Sequence, residues 1–313
     1  MRKILIIVAL MLSFSSYAQS LKSSKFGSFN IGVVMPENIE GLNDGQLSKI
    51  ETKISRVLES SGVTAIGEYC NFVVYPKFEV YESKSVEGGM QNTIITSVNL
   101  SLFIKQVDNN LLFSSITKTL KGSGTSQSLS LTNAISNIDV DDQTLKKFVE
   151  TGKNKILQYY NEKCSSILAK ADGLAKRNEF SQSIAISSSI PEGTSCYVLA
   201  QAKSLQYYKL YQNELCKKSL QEANISLTKN DYNAALDFLS EIDPASTCAG
   251  EAKAVIKNVV LKISAAERRD YEVRMKVYND KVALQKQRIN AIRDIAVAYY
   301  KNTATINYSY IVR

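Results

Sequence analysis

Apolar positions follow two different rhythms along this chain. Up to about residue 125 they alternate or run in short blocks, and beyond it they recur every three to four residues. In the first regime, "SFNIGVVMP" (28–36) reads as a buried strand. "NDGQLSKIETKISRVLESSG" (43–62) reads as an amphipathic helix, with Leu47, Ile50, Ile54, Val57 and Leu58 on one face. Asn43 or Asp44 suits its start and Gly62 its left-handed stop. "FVVYPKFEVYE" (72–82) is strand-like, and Pro76 places it at an edge or a bulge. In "TIITSVNLSLFIKQV" (93–107), Val98, Leu100, Leu102 and Ile104 alternate with Asn99, Ser101 and Lys105. "DNN" (108–110) turns that strand into a hairpin partner at 111–122, and Leu131, Ala134, Ile135 and Ile138 then take helical spacing. The predicted order is β-α-β-β-β-α, an antiparallel-rich sheet carrying two helices.

The second regime writes one pattern twice. "NEFSQSIAISSSIPEGTSC" (178–196) returns as "NDYNAALDFLSEIDPASTC" (230–248), an offset of 52 residues. At that offset Cys164 meets Cys216, Leu168 meets Leu220, Ala171 meets Ala223 and Cys196 meets Cys248. Each copy reads as two antiparallel helices around a turn near Arg177 or Lys229. The first helix runs ~19 Å from its cysteine to the turn, and the second returns ~15 Å before a short loop. That geometry brings Cys196 beside Cys164 and Cys248 beside Cys216, so the disulfides Cys164–Cys196 and Cys216–Cys248 are expected. A metal cluster is the alternative, but the spacing has no CxxC. After Cys248, a helix without Gly or Pro is expected from Glu251 to Lys301. Tyr271, Met275, Tyr278, Val282, Gln285, Ile289, Ile292, Ala296 and Tyr299 form a heptad seam there. The seam packs within the chain or allows self-association through 271–299. The tail "INYSYIVR" (306–313) alternates like a strand, which would complete the first sheet or add to a partner's edge.

Composition narrows the chemistry. The 313 residues include no histidine, which excludes Ser-His-Asp and Cys-His catalysis and any histidine-ligated metal. "MRKILIIVALMLSFSSYAQS" has the basic start, apolar run and small-residue cut of a secretory leader spanning 1–18. No cysteine stands at the cut, so a lipid anchor is not expected. No later run is long and apolar enough to span a bilayer. The net charge of +8 falls to +6 without Arg2 and Lys3, and it is spread thinly, which gives no nucleic-acid stripe. "KGSGTS" (121–126) lacks the Gly-Lys-Ser/Thr ending of a phosphate loop and reads as a strand-to-helix turn. Asp139, Asp141 and Asp142 are a tight acidic group that reads as a helix cap. Cys70 is the odd cysteine, either a buried inert thiol or an intermolecular link.

The resulting expectation is a leader (1–18), an α+β domain (19–140), an all-α helical-hairpin repeat domain with a long C-terminal helix (141–301), and a strand-like tail (302–313). The stretches "IGVVMP", "VLESSG", the long hairpin and "KGSGTSQSLSLTNAISNI" resemble the periplasmic α+β domain of the curli-secretion lipoprotein and penicillin-binding-protein activator families. That resemblance implies docking to an envelope protein. The repeat resembles tetratricopeptide-type helical hairpins, although those units run 34 residues. The leader's "YAQ" ending resembles Bacteroidetes-type exported proteins. Together these give an exported, non-enzymatic adaptor or scaffold of the cell envelope, in the periplasm or at the surface. It would bind a protein or peptide and need no cofactor or metal. A glycan- or small-ligand-binding module and an envelope-polymer hydrolase are the alternatives.

Overall fold

The computed structural model describes residues 29–36, 39, 41–66, 70–87, 92–278 and 281–311. The leader, Val312 and Arg313 lie outside them. Strand β1 (Asn30–Val33) leads to helix α1 (Asp44–Ser60), and then to β2 (Thr64–Ile66), β3 (Phe72–Val86), β4 (Thr93–Gln106) and β5 (Leu112–Gly124). The five strands stand in the order β2-β1-β3-β4-β5. The β1–β2 and β1–β3 contacts are parallel, and β3–β4 and β4–β5 are antiparallel. The three-residue β2 was too short for its alternation to register in the sequence.

Local chemistry sets the helices on this sheet. Asn43 and Gln46 exchange capping bonds at 3.0 Å each, so α1 begins at Asp44. The Gln46 amide also donates to Ser128 O and Thr132 Oγ1, which ties α1 to α2 (Gln127–Ser136). Lys53 donates to the carbonyls of Ser136 and Ile138, where the α2 dipole is negative. Val98, Leu100, Leu102 and Ile104 of β4 are buried under these helices, the face that their alternation marks.

Helix α3 (Gln143–Lys176) joins the two halves of the molecule. Its Leu145, Phe148, Val149, Ile156 and Tyr160 extend the sheet core, and Cys164 and Leu168 carry the same apolar cluster into the helical half. The hydrophobic core therefore runs across position 140 without a break. Gly152 permits this approach, since a Cβ there would press on Ile104 Cδ1 at 2.5 Å.

The helical half continues through α4 (Phe180–Ser188), α5 (Tyr197–Thr228), α6 (Tyr232–Ser240), α7 (Ala249–Val260), α8 (Ala265–Tyr278) and α9 (Lys281–Ile311). Asn178 and Asn230 both take left-handed backbone, with φ of 62° and 59°. At each, the next N–H bonds back five residues: Glu179 to Leu174 O and Asp231 to Ser226 O, both at 3.0 Å. These matching helix stops explain why each copy of the repeat opens on asparagine. Serine-rich α4 is the hub. Ser183, Ala185 and Ser187 are buried against α3, α5 and α9, where larger side chains would not fit. Ser183 Oγ donates to Ala171 O, and Ser204 Oγ to Ser187 Oγ.

Two expectations are corrected here. The helix expected from Glu251 to Lys301 is interrupted, and the long C-terminal helix is α9. The break follows Val260, where Lys262 N bonds to Val259 O and Arg268 reaches back to Val260 O. Tyr271 is buried with Leu236, Val259 and Ile263, whereas Ile292 is buried with Phe180, Ile184 and Tyr207. Tyr271 and Ile292 thus cover their own chain. The side chains of Tyr278 and Val282 lie outside the described residues. The tail is also not a strand, because α9 runs through it to Ile311. Once a helix is under way, each added residue gains a bond at little cost, and neither Gly nor Pro stops it. The second face of the sheet is packed by Tyr300 of α9, which meets Val34, Val73, Tyr75 and Val107.

Candidate functional site

Two staples organise the helical half. Cys164 and Cys196 form a disulfide with Cα atoms 6.2 Å apart, and Cys216 and Cys248 form one at 6.0 Å. The loop before each second cysteine is held in the same way. The Asn161 side chain accepts from Ser195 N at 2.7 Å, and Asn213 accepts from Thr247 N at 2.8 Å. "NEKC" (161–164) and "NELC" (213–216) carry these residues, 52 apart, so the repeat visible in the sequence extends three residues ahead of each first cysteine. The copies diverge at the loop start, where Pro191 aligns with Asp243. Both Asp243 carboxylate oxygens are gripped by Arg288 of α9. Burial pushes the Asp243 carboxyl up, but bonds from Arg288 and the Ala245 N–H outweigh it and hold it below the ordinary range.

Beside the second staple lies a shallow open groove of about 530 Å³. Lys217, Gln221, Asn224, Ile225 and Thr228 of α5 form one wall at helical spacing, and Glu251 at the start of α7 stands on the other. Leu220 and Cys248 make its apolar part. The staple creates the groove by fixing the start of α7 beside α5. The first copy ties up one position of the equivalent surface. There Asp172, at the place of Asn224, accepts from Lys203 Nζ at 2.6 Å and from Tyr207 OH at 2.7 Å. Those bonds from Lys203 and Tyr207 hold the Asp172 carboxyl below its ordinary range. In the second copy the aligned positions are Val255 and Val259, which offer no such bond, and Asn224 is exposed. The Gln221 and Asn224 amides each present donors and an acceptor, the functions needed to pair with a peptide backbone.

The other candidate chemistry is absorbed by structure. Asp142 caps α3 by accepting from Thr144 N at 2.7 Å and pairs with Lys118 at 2.6 Å. Lys118 and Thr144 hold its carboxyl well below the usual range. Asp141 pairs with Lys146, and Asp139 accepts from Asp141 N. In "KGSGTS", Ser126 caps α2 through Leu129 N. Gly122 lies against Ser130 O and Ala134 N with no room for a Cβ. Its glycines serve close packing. Cys70 keeps a free thiol that donates to Phe72 O, and burial pushes its pKa up to about 11. Among the described residues no group of His, Cys, Asp or Glu is arranged to hold a metal. No helix among them is long and apolar enough to cross a membrane.

No protein-family model and no curated protein matches this chain. Among solved structures, a minor lipoprotein from Acinetobacter baumannii matches at 10% identity and a TM-score of 0.28, over 39% of this chain and 92% of its own. A hypothetical protein from Chlamydia trachomatis matches at 15% identity and 0.24, over 38% and 96%. The PelC dodecamer from Paraburkholderia phytofirmans matches at 18% identity and 0.25, over 41% and 87%. Each likeness covers less than half of this chain.

Proposed function

We propose that this protein is an exported, non-enzymatic adaptor of the cell envelope that holds an extended segment of a partner protein in the groove between α5 and α7. The observation that carries the reading is the contrast between the two copies. The first locks Asp172 to Lys203 and Tyr207, while the second leaves Asn224 and Gln221 exposed beside Ile225 and Leu220. A wall of amides over an apolar floor suits a peptide, whose backbone takes the amides and whose side chains take the floor. The tetratricopeptide-type resemblance adds the expectation of a concave, peptide-binding arm. The leader-like start and two disulfides support export, since such bonds persist in oxidising compartments.

The test is a photo-crosslinking residue at position 225 in cells that make the protein. A discrete adduct is expected, lost when Gln221→Ala and Asn224→Ala are added and missing when the probe sits at exposed position 147. No adduct at 225, or one indifferent to the two alanines, rejects the groove as the binding site.

A further inference from the structure

The outer half of β3 leaves the body of the sheet. Among the described residues, β1 pairs with it at Gly32–Val73 and Val33–Val74, and Val34 N bonds to Val74 O, whereas β4 lines its other side as far as Val86. Every residue from Glu79 to Val86 is exposed. In an antiparallel ladder, alternate residues turn their N–H and C=O groups away from the neighbouring strand, so this stretch offers a bonding edge. Two features blunt the earlier part of that edge. Pro76 has no N–H to give, and Tyr81 is an extra residue in a bulge between the Val80–Val98 and Glu82–Ser97 pairs. Beyond the bulge, 82–86 contains neither device.

We propose that a second copy of this chain pairs antiparallel with this edge about a twofold axis at Ser83. The charges select the occupant and the register. Glu82 and Lys84 lie on one face and pair within the chain, with Nζ to Oε1 at 2.5 Å. With the axis at Ser83, Glu82 faces the partner's Lys84 and Lys84 faces the partner's Glu82. An axis at Glu82 would set two glutamates against each other, and an axis at Lys84 two lysines. The facing segment is short, so the dimer is weak and forms at high protein concentration.

Sedimentation of the full exported chain across a wide concentration series tests this. The wild type is expected to dimerise. Glu82→Lys, which opposes two lysine pairs, weakens association by about tenfold or more. The charge swap Glu82→Lys with Lys84→Glu restores it. Both sites are exposed, and an unchanged melting temperature establishes that the variants remain folded. A Ser83→Cys variant supplies a second readout, because the axis places its two thiols within disulfide reach and a dimer resistant to non-reducing gels should form. A wild type that stays monomeric at every concentration overturns the proposal. So does a dimer indifferent to Glu82→Lys, or a Ser83→Cys chain that forms no crosslink.

Discussion

Gly122 sits where α2 touches β5, with the Ser130 carbonyl and the Ala134 amide in the space of a side chain. Gly122→Ala should therefore destabilise the fold by about 2–3 kcal/mol, read from urea unfolding. A side chain at Lys121, exposed on the same strand, can be shortened to alanine with little effect. Asp108 is a second site where burial decides the outcome. One of its oxygens is buried without a hydrogen-bond partner, as is the side-chain Oε1 of Gln106. Burial raises its pKa above the ordinary 3.8, against the opposing pull of Lys170, Tyr299, Asn71 and Tyr300. Ionised Asp108 thus costs the folded state, and the cost is absent below the unfolded value. It grows as pH rises from that value through the raised folded one. The difference in unfolding midpoint between Asp108→Asn and the wild type should shift in favour of the variant across that window. A difference that stays flat with pH contradicts the assignment. Neither residue announced itself in the sequence. "KGSGTS" signals a turn, and only the folded chain reveals that its first glycine answers to a helix packed across it.

At the scale of elements, the two staples have different settings. Cys164 and Cys196 belong to the cluster that also holds the sheet core, whereas Cys216 lies in a smaller cluster with Leu220, Ala223, Ala235 and Leu239. Each bond closes a loop of 32 residues, worth ~3 kcal/mol in the chain-entropy model. Replacing Cys216 and Cys248 together by serine should raise hydrogen exchange in α6 and α7 and leave β3 and β4 protected. Replacing Cys164 and Cys196 should lower protection in the sheet as well. Equal, global effects from both pairs would contradict this division. Element content was legible where periodicity was strong, as in α1, β4 and the hairpin repeat. It was not legible after Cys248. A heptad seam there predicts one helix, but the decisive contacts come from neighbours distant in sequence: Leu236 for Tyr271, and Phe180 for Ile292. The tail's alternation was equally ambiguous, since a short apolar run fits either period.

At the scale of the molecule, α3 makes the sheet and the stapled hairpins one body, and α9 closes the second face of the sheet through Tyr300, whose hydroxyl donates to Ala185 O at 3.0 Å. Tyr300→Phe should cost about 1 kcal/mol by removing that buried bond, measured by chemical unfolding. The groove beside the second staple could not be read from sequence, because it takes the fold to place Val255 and Val259, which align with Lys203 and Tyr207, across from Asn224. The whole account rests on a chain that reaches an oxidising compartment and closes each hairpin upon itself. Non-reducing peptide mapping of the protein recovered from the envelope, after alkylation in denaturant, tests it most directly. The account predicts linked peptides joining Cys164 to Cys196 and Cys216 to Cys248, with Cys70 alkylated. Recovery of all five cysteines as alkylated thiols, or of links joining one hairpin to the other, would contradict it.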